Sequence, residues 1–177
     1  ITNKDNWQQI TECSANSFPN FTFSPDEKFL YFNDRQSNTH GYQIFRINLN
    51  SSEKDIINQP ITSGKGNYSF DLSPDGEKIA YVSFENKVSE IFVQTLSSGQ
   101  RQSIAQYPGI NGSPAWSPDG KKLAVTLSKD GNSDIYILTL ANLSLKKLTK
   151  SWAIDTEANW SPDGQQIVFT SDRGQRP

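Results

Sequence analysis

Apolar residues in this chain come in short runs boxed in by polar stretches, and the runs recur. Phe29-Leu30-Tyr31-Phe32, Ile79-Ala80-Tyr81-Val82, Leu123-Ala124-Val125 and Ile167-Val168-Phe169 are the clearest. Runs of this length, bounded by Gly, Pro, Asn and Asp, predict strands. Each follows a near-copy of one tetrapeptide: Ser73-Pro74-Asp75-Gly76, Ser117-Pro118-Asp119-Gly120, Ser161-Pro162-Asp163-Gly164, and the looser Ser24-Pro25-Asp26-Glu27. The tetrapeptides start at residues 24, 73, 117 and 161, so the period is 49 residues once and 44 twice. That spacing belongs to propeller blades rather than helical repeats.

The tetrapeptide is itself a turn. Proline fixes φ near −65°, aspartate bonds nearby backbone N–H groups, and glycine accepts φ > 0. With Glu27 in the glycine place, the first copy is expected to bend less sharply or adopt another turn. The pattern places strands at residues 19–23, 29–33, 42–48 and 54–58, then at 68–72, 78–84, 90–95 and 101–105. The third repeat, 113–149, has its third strand in Ser133-Asp134-Ile135-Tyr136-Ile137-Leu138, and the fourth supplies 158–160 and 166–170. Gln43-Ile44-Phe45, Glu90-Ile91-Phe92 and Asp134-Ile135-Tyr136 align, so an acid or amide before Ile-aromatic belongs to the fold rather than to a site.

The reading is an all-β chain: a β-propeller of four-stranded antiparallel blades, about three and a half of them, an incomplete ring that forms part of a six-bladed propeller. It is a single partial domain in which residues 1–17 give the outer strand of a preceding blade, around 7–11. Residues 18–66, 67–111 and 112–156 are blades, and 157–177 a half blade. An open arc leaves blade faces to be covered by the rest of a longer chain or by self-association.

Composition agrees. Over 177 residues only 34% are hydrophobic and the mean hydropathy is −0.64, yet 11% are aromatic, the balance of many short strands with one wet face. A net charge of −2, dispersed along the chain, gives no electrostatic case for nucleic acid or an anionic membrane. No run of eighteen apolar residues predicts membrane insertion, and no leader is seen at the start.

Candidate chemistry is sparse. His40 is the only histidine, no Gly-x-Ser-x-Gly elbow is present, and Cys13, the single cysteine, has no metal-ligand spacing around it. Asp130-Gly131-Asn132-Ser133-Asp134 and Asp172-Arg173-Gly174 are oxygen-rich, but they fall at equivalent places between second and third strands, where Asx turns are wanted anyway. The expectation is a protein without catalytic residues, cofactor or bound metal. Trp116 and Trp160, just before the turns, are expected in the core between blades. The connections from each outer strand to the next inner strand, 63–67, 109–113 and 152–157, would emerge together around the channel mouth. Trp152 stands there among polar neighbours, which suits a protein interface.

Four stretches resemble the blades of TolB-like propellers of the Tol-Pal system: Ala80-Tyr81-Val82-Ser83-Phe84-Glu85-Asn86, Tyr107-Pro108-Gly109-Ile110-Asn111-Gly112-Ser113-Pro114-Ala115, Trp152-Ala153-Ile154-Asp155-Thr156-Glu157, and Phe169-Thr170-Ser171-Asp172-Arg173-Gly174. The resemblance covers about residues 72–177; residues 1–66 are similar to more generic TolB-like blades, including those of periplasmic sensor regions in membrane-anchored transcription regulators. It implies a periplasmic, non-catalytic propeller whose loop face binds Pal, a peptidoglycan-associated lipoprotein. The matching positions are Ile110, Asn111, Gly112, Ser113, Asp155, Thr156 and Glu157. The family often has histidine at position 110, which bears on partner choice. Trp152, Ile110 and Ala153 are expected to make apolar contact, and Asp155, Thr156 and Glu157 to accept hydrogen bonds from the partner. Other classes remain open: a sensory, ligand-binding propeller attached to a regulator, or an accessory propeller gating a serine peptidase.

Overall fold

The computed structural model describes residues 20–35, 41–50, 60–64 and 66–174. These hold thirteen strands and no helix, so no helix among them is long and apolar enough to cross a membrane. The first blade contains β1 (Phe21–Phe23), β2 (Phe29–Asp34) and β3 (Gln43–Asn48), and the second β4 (Asn67–Leu72), β5 (Lys78–Ser83), β6 (Glu90–Thr95) and β7 (Arg101–Ala105). The third has β8 (Asn111–Trp116), β9 (Lys122–Leu127), β10 (Asp134–Thr139) and β11 (Ser144–Lys147), and β12 (Asp155–Trp160) pairs with β13 (Ile167–Ser171). Every pairing is antiparallel between chain neighbours, giving two complete four-stranded blades in an open arc. Beside β3, Pro60 bridges Phe45 where a fourth strand would end. The expected strand at 54–58, the outer strand at 7–11, Cys13 and His40 lie outside the described residues.

Most of the core lies between blades; Phe32, Phe45 and Ile47 also cluster on the first blade alone. Tyr31 and Ile44 of the first blade meet Phe70, Ile79 and Tyr81 of the second. Val82, Ile91 and Ile104 of the second meet Trp116, Leu123, Tyr136 and Leu138 of the third. Ala124 and Ile135 meet Ala158, Trp160 and Ile167. β5, β6, β9 and β10 are buried almost throughout, which is why their sequences read as apolar runs rather than strict alternation. At about 1.5–3 kcal/mol per buried large side chain, these interfaces are the main cohesion of the arc.

The repeated turn is built alike in all four copies. In the third, the Ser117 hydroxyl donates to Asp119 at 2.6 Å, Asp119 accepts the Lys121 N–H at 3.1 Å, and Gly120 N–H closes on the Ser117 carbonyl at 2.8 Å. These bonds hold the Asp26, Asp75, Asp119 and Asp163 carboxyls below their usual pKa, the serine bond contributing most. The expectation for Glu27 is corrected: it takes φ 58° and closes on Ser24 at 2.9 Å like the glycines. Ser24, Asp26 and the Phe29 N–H fix every other part of that turn, so the non-glycine residue carries the strain. Successive turns abut: a Cβ on Gly76 would stand 3.2 Å from the Pro25 ring.

Adjacent blades are also tied along their inner strands. The Trp116 backbone N–H donates to the Asp71 carboxylate at 2.8 Å and its indole N–H to the Asp71 carbonyl at 3.2 Å. The Trp160 indole reaches the Ala115 carbonyl at 3.1 Å in the same way. Burial raises the Asp71 pKa above 3.8, and N–H donation from Trp116 and Leu72 offsets only part of that. A carboxyl raised on folding stabilises most below its unfolded value, and the contribution is lost as pH rises through the folded one. Asp71→Asn keeps an acceptor for Trp116 without the buried charge. It is expected to raise the melting temperature at pH 7, with the gain vanishing near pH 3, as thermal unfolding at both pH values would show.

Candidate functional site

Chain direction assigns the loops to two ends of the arc. The Ser-Pro-Asp turns and the turns between third and fourth strands lie at the lower end. The connections between second and third strands, and those from each outer strand to the next inner strand, lie at the upper end. Upper loops of neighbouring blades are bound together: Asn67 N–H donates to the Tyr42 carbonyl at 2.9 Å, Asn111 N–H to the Ser89 hydroxyl at 2.9 Å, and Asp155 N–H to the Ser133 carbonyl at 2.8 Å.

Those bonds start the inner strands earlier than the sequence pattern suggests. Residues 111–113 and 155–157 belong to β8 and β12 instead of free loops, with Asn111 opposite Leu127 and Asp155 opposite Ser171. The nine candidate residues therefore divide. Asn111, Ala153 and Asp155 are buried, which corrects the expectation that Ala153 and Asp155 touch a partner. Asn111 instead locks the preceding loop, accepting the Tyr107 N–H at 2.8 Å and donating to the Tyr107 carbonyl at 2.7 Å. Ala153 offers its carbonyl to the Asn132 amide. Asp155 accepts the Arg173 guanidinium at 2.6 Å. Burial acts to raise the Asp155 pKa, and hydrogen bonding from Ser171 and Arg173 outweighs it, leaving the carboxyl below its usual value.

Gly112, Ser113, Thr156 and Glu157 sit where β8 and β12 bulge, the register slipping between Gly112 and Ala115 and between Thr156 and Asn159. β4 slips likewise, and the three bulges put Ser69, Ser113 and Glu157 in left-handed backbone at φ 37°, 47° and 55°. All three line an open concavity of about 470 Å³ along the inner strands, which Asn20, Asp71 and Asn159 also border and whose surface is largely polar.

The upper loops expose several large apolar side chains among polar ones. Trp152 is 96% exposed, and Phe84, Val88, Ile110 and Ile154 are each about half exposed. Phe84, Val88 and Ile154 were not legible as site residues: Phe84 continues the run of β5, Val88 stands between Lys87 and Ser89, and Ile154 has no periodic company. Leaving such side chains in water costs roughly 25 cal/mol per Å².

The oxygen-rich loops are internally engaged. Asp130 accepts the Tyr136 hydroxyl at 2.6 Å and Lys129 at 2.9 Å, which bring its pKa down to about 2. Among the described residues no group of three or more His, Cys, Asp or Glu could hold a metal ion.

Comparison with known proteins follows this geometry. The family model described as the TolB beta propeller domain matches residues 58–177. The Tol-Pal system protein TolB of Methylococcus capsulatus is 50% identical over 82 residues, 46% of this chain and 16% of that protein. Among solved structures, TolB from Acinetobacter baumannii superposes with a TM-score of 0.69 at 35% identity, covering 87% of this chain and 35% of that one. A putative TolB from Agrobacterium tumefaciens gives 0.79 at 23% identity, covering 94% and 60%, a likeness of fold alone. The chain thus spans only part of the proteins it matches.

Proposed function

This chain belongs to the TolB β-propeller family, and from that premise we propose that it is a non-catalytic protein-binding module of the Tol-Pal system, docking a Pal-type lipoprotein in the periplasm through its upper face. The carrying observation is the fully exposed Trp152, with half-exposed Ile110, Ile154, Val88 and Phe84 on loops at the same end of the arc. An exposed aromatic anchor with further apolar side chains and polar groups around them is the usual composition of an interface hot spot. In this reading Trp152 and Ile110 enter apolar pockets of the partner. Thr156, Glu157, Gly112 and Ser113 meet polar groups of a partner segment reaching into the concavity along the inner strands. Asn111, Ala153 and Asp155 hold those residues in place. The propeller stretch acts as one domain whose blades divide near residues 67, 112 and 157.

Titration of a soluble Pal domain against the protein by calorimetry tests the reading. Trp152→Ala is expected to weaken binding by about thirty-fold or more, in the range of interface hot spots. Lys28→Ala, on the lower turns, is expected to change it less than about two-fold, as a substitution outside the contact should. Equal affinity of Trp152→Ala and the parent protein would overturn the assignment of this face.

A further inference from the structure

Beneath the upper face, one buried polar cluster recurs with a change of chemistry. At the first junction Gln43 Oε1 accepts the Thr62 hydroxyl at 3.0 Å and the Asn67 amide at 2.9 Å, and Asn67 also donates to Thr62 and to the Ser63 carbonyl. Three neutral side chains serve one another. At the third junction Asp134, Thr149 and Asp155 occupy the same places and are buried equally deeply. Thr149 donates to Asp134 at 3.0 Å, and Lys147 pairs with Asp134. Asp155 is served from another element: its Oδ2 takes Arg173, from the segment directly after β13, while its Oδ1 is left without a partner. Asn67 Oδ1 is likewise without a partner, so the difference between the junctions is one of charge: a neutral amide can be left so, whereas a buried carboxylate needs a charge brought to it.

The loop carrying Trp152 hangs on the same residues. Ser151 accepts the Ala153 N–H at 3.3 Å and faces Asp155. Ile154 N–H donates to Asp172 Oδ1 at 2.7 Å, and Asp172 N–H returns to the Ile154 carbonyl at 3.3 Å. Arg173 is steadied by its Nε bond to Ser171 at 2.8 Å and by its place over the Phe169 ring, centroid at 5.2 Å. We propose that Asp172 and Arg173 form a latch by which the end of β13 positions the Trp152 loop, so that presentation of Trp152 depends on this strand end being docked. Arg173 is a positioning residue, acting through Asp155. The backbone half of this contact recurs, with Phe84 N–H donating to the Gly66 carbonyl at 3.1 Å and Ser128 N–H to the Ile110 carbonyl at 3.0 Å, but at the first junction the neutral cluster takes no charge from the strand end. The consequence for docking rests on the proposed reading of the upper face; the latch itself does not.

Amide hydrogen exchange of residues 151–154, with residues 106–110 as internal reference, tests the latch without any partner. Arg173→Met keeps the aliphatic stem over Phe169 and removes the charge. It is expected to speed exchange at 151–154 by about ten-fold or more and leave 106–110 unchanged. Asp155→Asn is expected to keep protection, because an amide there can donate to Asp134 and Thr149 as Asn67 does to Gln43 and Thr62. Asp155→Asn combined with Arg173→Met should restore the protection that Arg173→Met loses, a rescue that general loss of packing would not give. Unchanged exchange in Arg173→Met would overturn the latch, as would a double variant exchanging as fast as Arg173→Met. Should Arg173→Met not fold, the latch requires the double variant to fold, and its failure would overturn it. Titration of the soluble Pal domain separates the two ideas: faster exchange in Arg173→Met with unchanged affinity upholds the latch and removes the Trp152 loop from the docking surface.

Discussion

Replacing Trp116 by alanine is expected to lower stability by about 3–5 kcal/mol, the range for deleting a buried tryptophan. Trp116 is 6% exposed and lies in the core shared by the second and third blades, against side chains such as Val82, Leu123 and Val125. Its indole also donates to the Asp71 carbonyl across the junction, so the truncation empties a large volume and leaves an acceptor unpaired. Trp160 holds the equivalent place one repeat later and donates to Ala115, but it is only half-buried. Trp160→Ala is therefore expected to cost roughly half as much. Urea denaturation of the two variants checks this through the midpoints at a common slope. Equal losses would mean that cohesion does not reside at the junctions between blades. Trp116→Phe, which keeps most of the volume and loses the N–H, should fall between parent and alanine variant and so separate packing from the hydrogen bond.

The same contrast explains what could be read from the residues alone. The turns were legible because Ser-Pro-Asp-Gly specifies its own geometry within four residues, and the runs after it could only be strands. Even Glu27 joins the pattern, because Ser24 and Asp26 fix the turn around it. What escaped depends on distant partners. The early start of β8 and β12 is set by Ser89 and Ser133 of the preceding blade, more than twenty residues upstream of Asn111 and Asp155. That shift turns Asp155 from a surface acceptor into a buried one and pairs it with Arg173. In the three bulges the positive φ falls on Ser69, Ser113 and Glu157 rather than on a glycine. Phe84 looks like more strand to any local reading, because it continues the apolar run of β5, and Val88 stands alone between Lys87 and Ser89 with nothing periodic around it. One signal was available: Asn67, Asn111 and Asp155 recur at the blade period, as do Gln43, Glu90 and Asp134, and small amides and acids repeated in step with apolar runs mark buried hydrogen bonding.

Lys147→Met is the second substitution with a large expected cost, about 3–5 kcal/mol, because it strands a buried carboxylate. Asp134 is 1% exposed and holds Lys147 Nζ at 2.6 Å, whereas the nearby Asp130 partner, at 3.6 Å, is largely in water. An exposed pair would be worth less than about 1 kcal/mol, so the size of the loss reports which carboxylate matters. The damage should spread along the strand. Asp134 Oδ1 accepts the Thr149 hydroxyl, and that oxygen in turn accepts the Ile135 N–H at 3.0 Å, so a disturbed Asp134 loosens the pairing of β10 with the chain after β11. Combining Asp134→Asn with Lys147→Met removes both charges and recreates the neutral arrangement that Gln43 makes with Thr62. This double variant is expected to recover most of the loss, and chemical denaturation of the four members of the cycle measures the coupling directly. A single variant within about 1 kcal/mol of the parent would mean that water already reaches Asp134. A double variant no better than the single would mean that Lys147 acts through its stem rather than through its pairing with Asp134.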